Sequence, residues 1–214
     1  MPQNQNYVPL SGAKAGGGIQ NQPGGDFAEA LVSELLGKYY YLTKLGAVFN
    51  LSTLVAGVAI PISTATAQTF GLWNPAGSGK NCVPLLYLAS YVSGTTVGGS
   101  IGLGRLPNAG STIGAAGAPI TAWADTQPVN QLMGGNNGVV RGTLAATTIA
   151  ATWFQSLGIS EYAAIAASAI NAILMQYDFH GSLIIPPNNA VFVTASAASG
   201  ALLSQTLLFA ELPI

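Results

Sequence analysis

The run GSLIIPPNNAVFVTA, Gly181 to Ala195, reads as strand, tight turn, strand. Gly181–Ile185 and Ala190–Ala195 are rich in aliphatic and β-branched residues, and Pro186-Pro187-Asn188-Asn189 separates them. Proline presets φ and asparagine tolerates the left-handed region, so these four residues turn the chain rather than continue it. The same texture extends in both directions. Leu202–Leu212 reads as a final strand. Upstream, Val48-Phe49-Asn50-Leu51, Leu54–Ile60 and Thr69–Trp73 are β-branched or aromatic runs broken by turn residues. Cys82–Ser93 is a long apolar strand whose Pro84 predicts an edge or a bulge. Thr95–Leu103 reads as its glycine-broken partner, residues 104–119 as a loop without period, and Met133–Gly138 as a turn. Val139–Phe154 is rich in threonine and alanine. Ala163–Tyr177 fits a helical face (Ile165, Ala169, Ile173, Tyr177) or a strand buried on both sides. Short strands about every ten residues predict an all-β sandwich or barrel.

Ahead of the strands, Met1–Gly25 is poor in large apolar residues and rich in Gln, Asn, Gly and Pro, which predicts a flexible extended arm. Asp26 to Tyr41 is the best helix candidate. Asp26 caps it, Glu29 completes a capping box, and Phe27, Leu31, Leu35 and Tyr39 share one face. Gly37 and Tyr39-Tyr40-Tyr41 favour extended backbone, so a short helix ending near Gly37 is predicted. The expected organisation is an arm over 1–25 and a β-sandwich domain over 26–214.

The chain carries six basic and seven acidic residues among 214, so 6% are charged while 50% are hydrophobic. An ordinary soluble domain is about 25% charged. A chain so neutral hides surface in a membrane, in itself or in copies of itself. No charge-free stretch offers the roughly 20 predominantly apolar residues of a spanning helix, and Leu45–Ala67 only imitates a signal peptide. That leaves an oligomer, whose interface resembles a core cut in half. The single, scattered basic residues predict no nucleic-acid partner. The lone Cys82 reads as a small buried apolar residue.

Chemical motifs are sparse. Gly77-Ser78-Gly79-Lys80-Asn81 departs from a phosphate loop: Asn74 stands at the first glycine position, Asn81 replaces the hydroxyl, and a strand follows instead of a helix. It reads as a hairpin turn. His180 is the only histidine, which predicts no multi-histidine metal site within one chain; it reads as structural, at a strand start. The seven acids have no paired spacing, and no serine elbow is present. Trp73, Trp123 and Trp153 read as core. No enzyme activity, cofactor, metal or small-molecule substrate is predicted.

Two stretches resemble structural proteins of tailed bacteriophages. One is Phe70-Gly71-Leu72-Trp73-Asn74-Pro75-Ala76-Gly77-Ser78-Gly79-Lys80-Asn81 with the apolar strand after it. The other runs from Tyr177 through Pro186-Pro187-Asn188-Asn189 to a terminal strand ending Phe209-Ala210-Glu211-Leu212-Pro213. The second is similar to the last strands of a trimeric jelly roll of the capsid decoration, or cement, family. The resemblance implies a jelly-roll β-sandwich and a homotrimer on the outer capsid surface of a virion, made in the host cytoplasm and bound to the major capsid protein. It implies no catalytic residues. Asn4, Gln5, Asn6, Tyr7, Val8 and Leu10 are then the expected capsid-binding arm. Asn74, Pro75, Gly77, Gly79, Pro186, Pro187 and Asn188 are the expected turn motifs. A phage tail, baseplate or fibre protein with a receptor-binding jelly roll is the alternative.

Overall fold

The computed structural model describes residues 37–95, 98–110, 119–148, 150–160 and 174–214. The chain divides into two units, Met1–Tyr41 and Leu42–Ile214. In the first unit the Tyr40 N–H donates to the Gly37 carbonyl at 2.8 Å, and the Lys38 ammonium stands 5.3 Å from the centre of the Tyr39 ring. The arm and its six named residues lie outside the described residues, as does the predicted helix from Asp26 as far as residue 36. A short helix, α1 (Tyr40–Lys44), occupies part of the tyrosine run that favours extended backbone. Its end explains it. Gly46 sits at φ 68, the Ala47 N–H donates to the Leu42 carbonyl, and the Gly46 N–H donates to that of Thr43. This is a Schellman closure, with Lys44 favourably placed in the last turn.

Among the described residues thirteen strands follow: β1 (Val48–Ser52), β2 (Val58–Ala59), β3 (Ala67–Gln68), β4 (Gly71–Asn74), β5 (Lys80–Ser93), β6 (Gly99–Pro107), β7 (Ile120–Thr126), β8 (Val129–Asn130), β9 (Arg141–Thr148), β10 (Thr152–Ser160), β11 (Leu174–Asp178), β12 (Asn189–Ala195) and β13 (Leu202–Pro213). They form two antiparallel sheets. The first runs β11-β5-β13-β1-β8, with β2 also on β13. The second runs β10-β6-β12-β4-β9-β3, with β7 also on β9. The pairing is nested: β1 with β13, β4 with β12, β5 with β11 and β6 with β10. The front half of the domain thus pairs with the back half in reverse order, and the eight strands fold over as β1-β13-β5-β11 against β4-β12-β6-β10. That is the eight-stranded jelly roll. Sandwich rather than barrel is the outcome. The excursion between β6 and β10 supplies β7 to β9, which widen both sheets beyond β1 and β4.

Alternation along each strand sorts the side chains. In β13, Leu203, Gln205, Leu207 and Phe209 are buried, while Leu202, Ser204, Thr206 and Leu208 are partly exposed. The inward residues join Phe49, Leu51 and Tyr87 against Leu72, Ile101, Leu103, Val191 and Val193 of the other sheet. A second cluster (Trp73, Leu106, Ile120, Ala190, Phe192) lies on the opposite face of the second sheet, since these residues alternate with the first set. β7 covers it: the Trp123 ring lies edge-on to Trp73 at 5.7 Å and to Phe192 at 5.9 Å. Full burial of a large apolar side chain contributes about 1.5–3 kcal/mol, so this outer cluster is a real source of stability.

Several expectations are corrected. Thr95–Leu103 does not pair with Cys82–Ser93. Gly94, at φ 96, turns the chain out of the first sheet, and β6 joins the second between β10 and β12. The strand runs on through Pro107, into the stretch read as loop from residue 104. Gly181–Ile185 is not a strand, because His180 (φ 48) and Gly181 (φ 74) break the extended path and only Ile185 bridges, to Cys82. Of Leu54–Ile60 only Val58–Ala59 pairs. Pro84 lies on β5, one strand in from the edge of its sheet. The predicted bulge is there, where the register slips between Leu208–Leu86 and Phe209–Pro84. Proline is tolerated because the neighbouring ladder has a gap between Asp178–Leu86 and the Cys82–Ile185 bridge. Of Ala163–Tyr177 the described part, Leu174–Tyr177, is strand; the rest lies outside the described residues.

Candidate functional site

The two turns singled out by sequence meet at one end of the sandwich. The Asn188 N–H donates to the Asn74 carbonyl at 2.8 Å, and Asn74 Nδ2 donates to the carbonyls of Lys80 (2.8 Å) and Ile185 (2.9 Å). A third segment, Asn108–Gly110, locks onto both. The Ala109 and Gly110 N–H groups donate to Asn188 O (2.9 Å) and Oδ1 (2.6 Å), and the Gly110 carbonyl accepts from Trp73 Nε1 and the Ala76 N–H, each at 3.1 Å. Pro75 opens the first turn, its carbonyl accepting the Ser78 N–H. Gly77 (φ 81) and Gly79 (φ 67) carry the left-handed bends in open space. Asn188 at φ 68 supplies the bend after Pro186-Pro187, as asparagine does at low cost. The Asn74–Lys80 turn is not a hairpin, however: β4 and β5 lie in different sheets, so it carries the chain between them. Its role is structural, pinning three loops with buried amide chemistry. Sequence reasoning found the turn residues but not Asn108 (φ 57) or Gly110; a glycine within an aperiodic run carries no signal of what it will touch.

Two titratable groups of the core are shifted by burial. Burial, and after it the charge of Glu211, holds the Cys82 thiol well above its ordinary value. Burial likewise pushes up the Tyr87 hydroxyl, which donates to Gln205 Oε1 at 3.0 Å inside the core. Buried Glu211 accepts the Val140 N–H at 2.8 Å and so anchors the entry to β9. His180 is a turn residue rather than a strand start. Its side chain is 75% exposed, its N–H donates to Asp178 Oδ1 at 2.9 Å, and its Nδ1 stands 3.6 Å from the same oxygen. Among the described residues no three His, Cys, Asp or Glu side chains gather to hold a metal, and no helix is long and apolar enough to cross a membrane. Trp73 is buried, Trp123 caps the outer cluster, and a Cβ at Gly102 would meet the Trp153 ring at 2.6 Å.

What the surface offers instead is apolar area. Leu45 and Val129 are 61% exposed and Met133 90%. They cluster with Leu132 beside β8, where Asn130 Nδ2 holds the Gly46 carbonyl (2.9 Å) and the Gln131 N–H holds that of Val48 (2.9 Å). The sequence matches no family model, and no curated protein or solved structure matches it.

Proposed function

We propose that this is a structural virion protein, a trimeric cement protein that binds the outside of a phage capsid and stabilises the shell. The observation that supports it is a jelly roll with 6% charged residues whose exposed surface includes Leu45, Val129, Leu132 and Met133. Jelly rolls recur in viral capsid proteins, though fold alone does not assign function. The resemblance of the Phe70–Asn81 and Tyr177–Ala190 stretches, with the terminal Phe209–Pro213, to tailed-phage structural proteins points the same way. The partner is then the major capsid protein, and three weak contacts per trimer add through effective concentration. Affinity resting on apolar and backbone contacts is little screened by salt.

The test is incubation of the purified protein with undecorated phage heads, followed by sedimentation. Saturable binding at hundreds of copies per head, persisting in 0.5 M salt (roughly a 4 Å screening length), is the expected result. Binding of a few copies at the tail, or none, overturns it.

A further inference from the structure

The two outer faces of the sandwich are treated differently by the chain. The second sheet carries Trp73 and Phe192 outward and covers them with β7. The first sheet has no such cover among the described residues. Its register places Leu86, Leu208, Asn50 and Val129 side by side across four strands. Their chain neighbours Tyr87, Leu207 and Leu51 point into the core, so this row points out. The next row is Leu88, Thr206 and Ser52, with Ser90 and Ser204 beyond. Leu86, Leu88 and Leu208 are partly exposed, and Ser52 is exposed. Asp178 is the only charged residue paired into these rows, at the β11 edge.

We propose that this face, the outer side of β11-β5-β13-β1-β8, is where a second copy of the chain docks. The proposal rests on the reading of the protein as a homo-oligomer and names its interface. Two features select a copy of itself as occupant. The face carries a single charge in its described rows, Asp178 at the β11 edge, and its middle is chiefly aliphatic and hydroxyl, so neighbouring copies gathered about a shared axis can cover it without burying unpaired charge. Its size also fits. The five strands hold 5, 14, 12, 5 and 2 residues, and at about 4.8 Å spacing and about 3.4 Å rise these span on the order of 600 Å². The adjoining Leu45, Leu132 and Met133 bring this close to the roughly 800 Å² per partner of a standard interface.

The experiment is light scattering on the full chain and on Leu208→Glu, with circular dichroism to verify the fold. The native chain is expected to be oligomeric and Leu208→Glu monomeric, with an unchanged spectrum. A monomeric native chain removes the homo-oligomer reading and this interface with it. An oligomeric Leu208→Glu overturns the interface alone, and if that variant also fails to bind heads, the face belongs to the shell subunit. Should Leu208→Glu not fold, Ser52→Cys and Ala122→Cys decide. Both sites are exposed in the single chain, and Cys82 is buried and silent. Maleimide labelling at Ser52→Cys at least tenfold slower than at Ala122→Cys supports the interface, and equal rates overturn it. The same labelling after deletion of residues 1–25 separates the remaining occupant: protection lost while the oligomer persists assigns the face to the arm and overturns the proposal.

Discussion

Asn74 Nδ2 donates to two carbonyl oxygens, those of Lys80 and Ile185, while its buried Oδ1 has no hydrogen-bond partner. The two ends of one amide therefore make opposite demands. Asn74→Ala removes both donors and leaves two acceptors unsatisfied, which costs about 2 kcal/mol. Asn74→Asp keeps the shape but turns a carboxylate oxygen toward those carbonyls, and a buried unpaired charge costs more than a missing donor. Urea unfolding at pH 7 is expected to rank native above Asn74→Ala above Asn74→Asp. The Asp variant should regain stability on acidification, because its folded-state pKa is raised above the unfolded value and the protonated acid donates again. If Asp proves milder than Ala at pH 7, the amide orientation assigned to Asn74 is wrong. A second residue-scale consequence follows from Cys82 and Tyr87. Both keep their protons in the fold at pH values where the unfolded chain releases them, 9.0 for the thiol and 10.0 for the phenol. Stability owed to these two groups is thus whole below pH 9 and falls as pH rises above it. Denaturant midpoints that stay level from pH 8 to 11 would contradict the burial described.

At the scale of elements, glycine in β6 shows how packing rather than propensity makes a strand. Ile101 and Leu103 enter the core while Gly102 and Gly104 face the other way. A Cβ at Gly102 would lie 2.2 Å from the Gln155 carbonyl oxygen and 2.6 Å from the Trp153 ring; at Gly104 it would meet the Ala151 Cβ at 2.8 Å. Gly102→Val, a β-favouring change by propensity, should therefore destabilise by roughly 3 kcal/mol, through overpacking of the β6–β10 pair. Gly77→Ala, in open space at a positive φ, should cost nearer 1 kcal/mol. Thermal unfolding of the two variants checks the order. The same strand marks the limit of what was legible. Val48–Leu51, Thr69–Trp73, Cys82–Ser93, Ala190–Ala195 and Leu202–Leu212 announce themselves by β-branched, aromatic or alternating apolar residues, and all have strands at or near those positions. The assignment of strands to sheets does not show in this way. β6 reads as the neighbour of β5 because sequential strands usually pair, yet Gly94 sends it to the other layer. Ser182 to Ile185 has a strand's composition but is set off by two positive-φ residues, and nothing in a histidine's identity predicts that conformation. The candidate site divides likewise. Its turn residues were readable from Pro, Gly and Asn, whereas the apolar rows on the first sheet depend on register, which no local pattern contains.

For the molecule as a whole, the described strands and both apolar clusters lie between Val48 and Pro213. The nested pairing closes within that span: among the described residues β1 is the first strand and β13 the last, and they are hydrogen-bonded neighbours. Met1–Gly25 lies outside the described residues, and its Gln, Asn and Gly composition suits a segment that meets a partner rather than one that builds a core. Stability and attachment should accordingly be separable. Deleting residues 1–25 is expected to leave the calorimetric transition within about 2 °C of native, a shift corresponding to about 0.5–1 kcal/mol for a domain of this size. It is also expected to leave the oligomer intact by light scattering, while binding to undecorated heads falls by at least tenfold. The loss should be steep because attachment through three arms multiplies: each arm raises the effective concentration of the others, so weakening all three together costs far more than weakening one. A truncated chain that binds heads at native affinity would return the anchoring role to the sandwich itself. One that unfolds, or falls apart into monomers, would make the arm a structural part of the assembly.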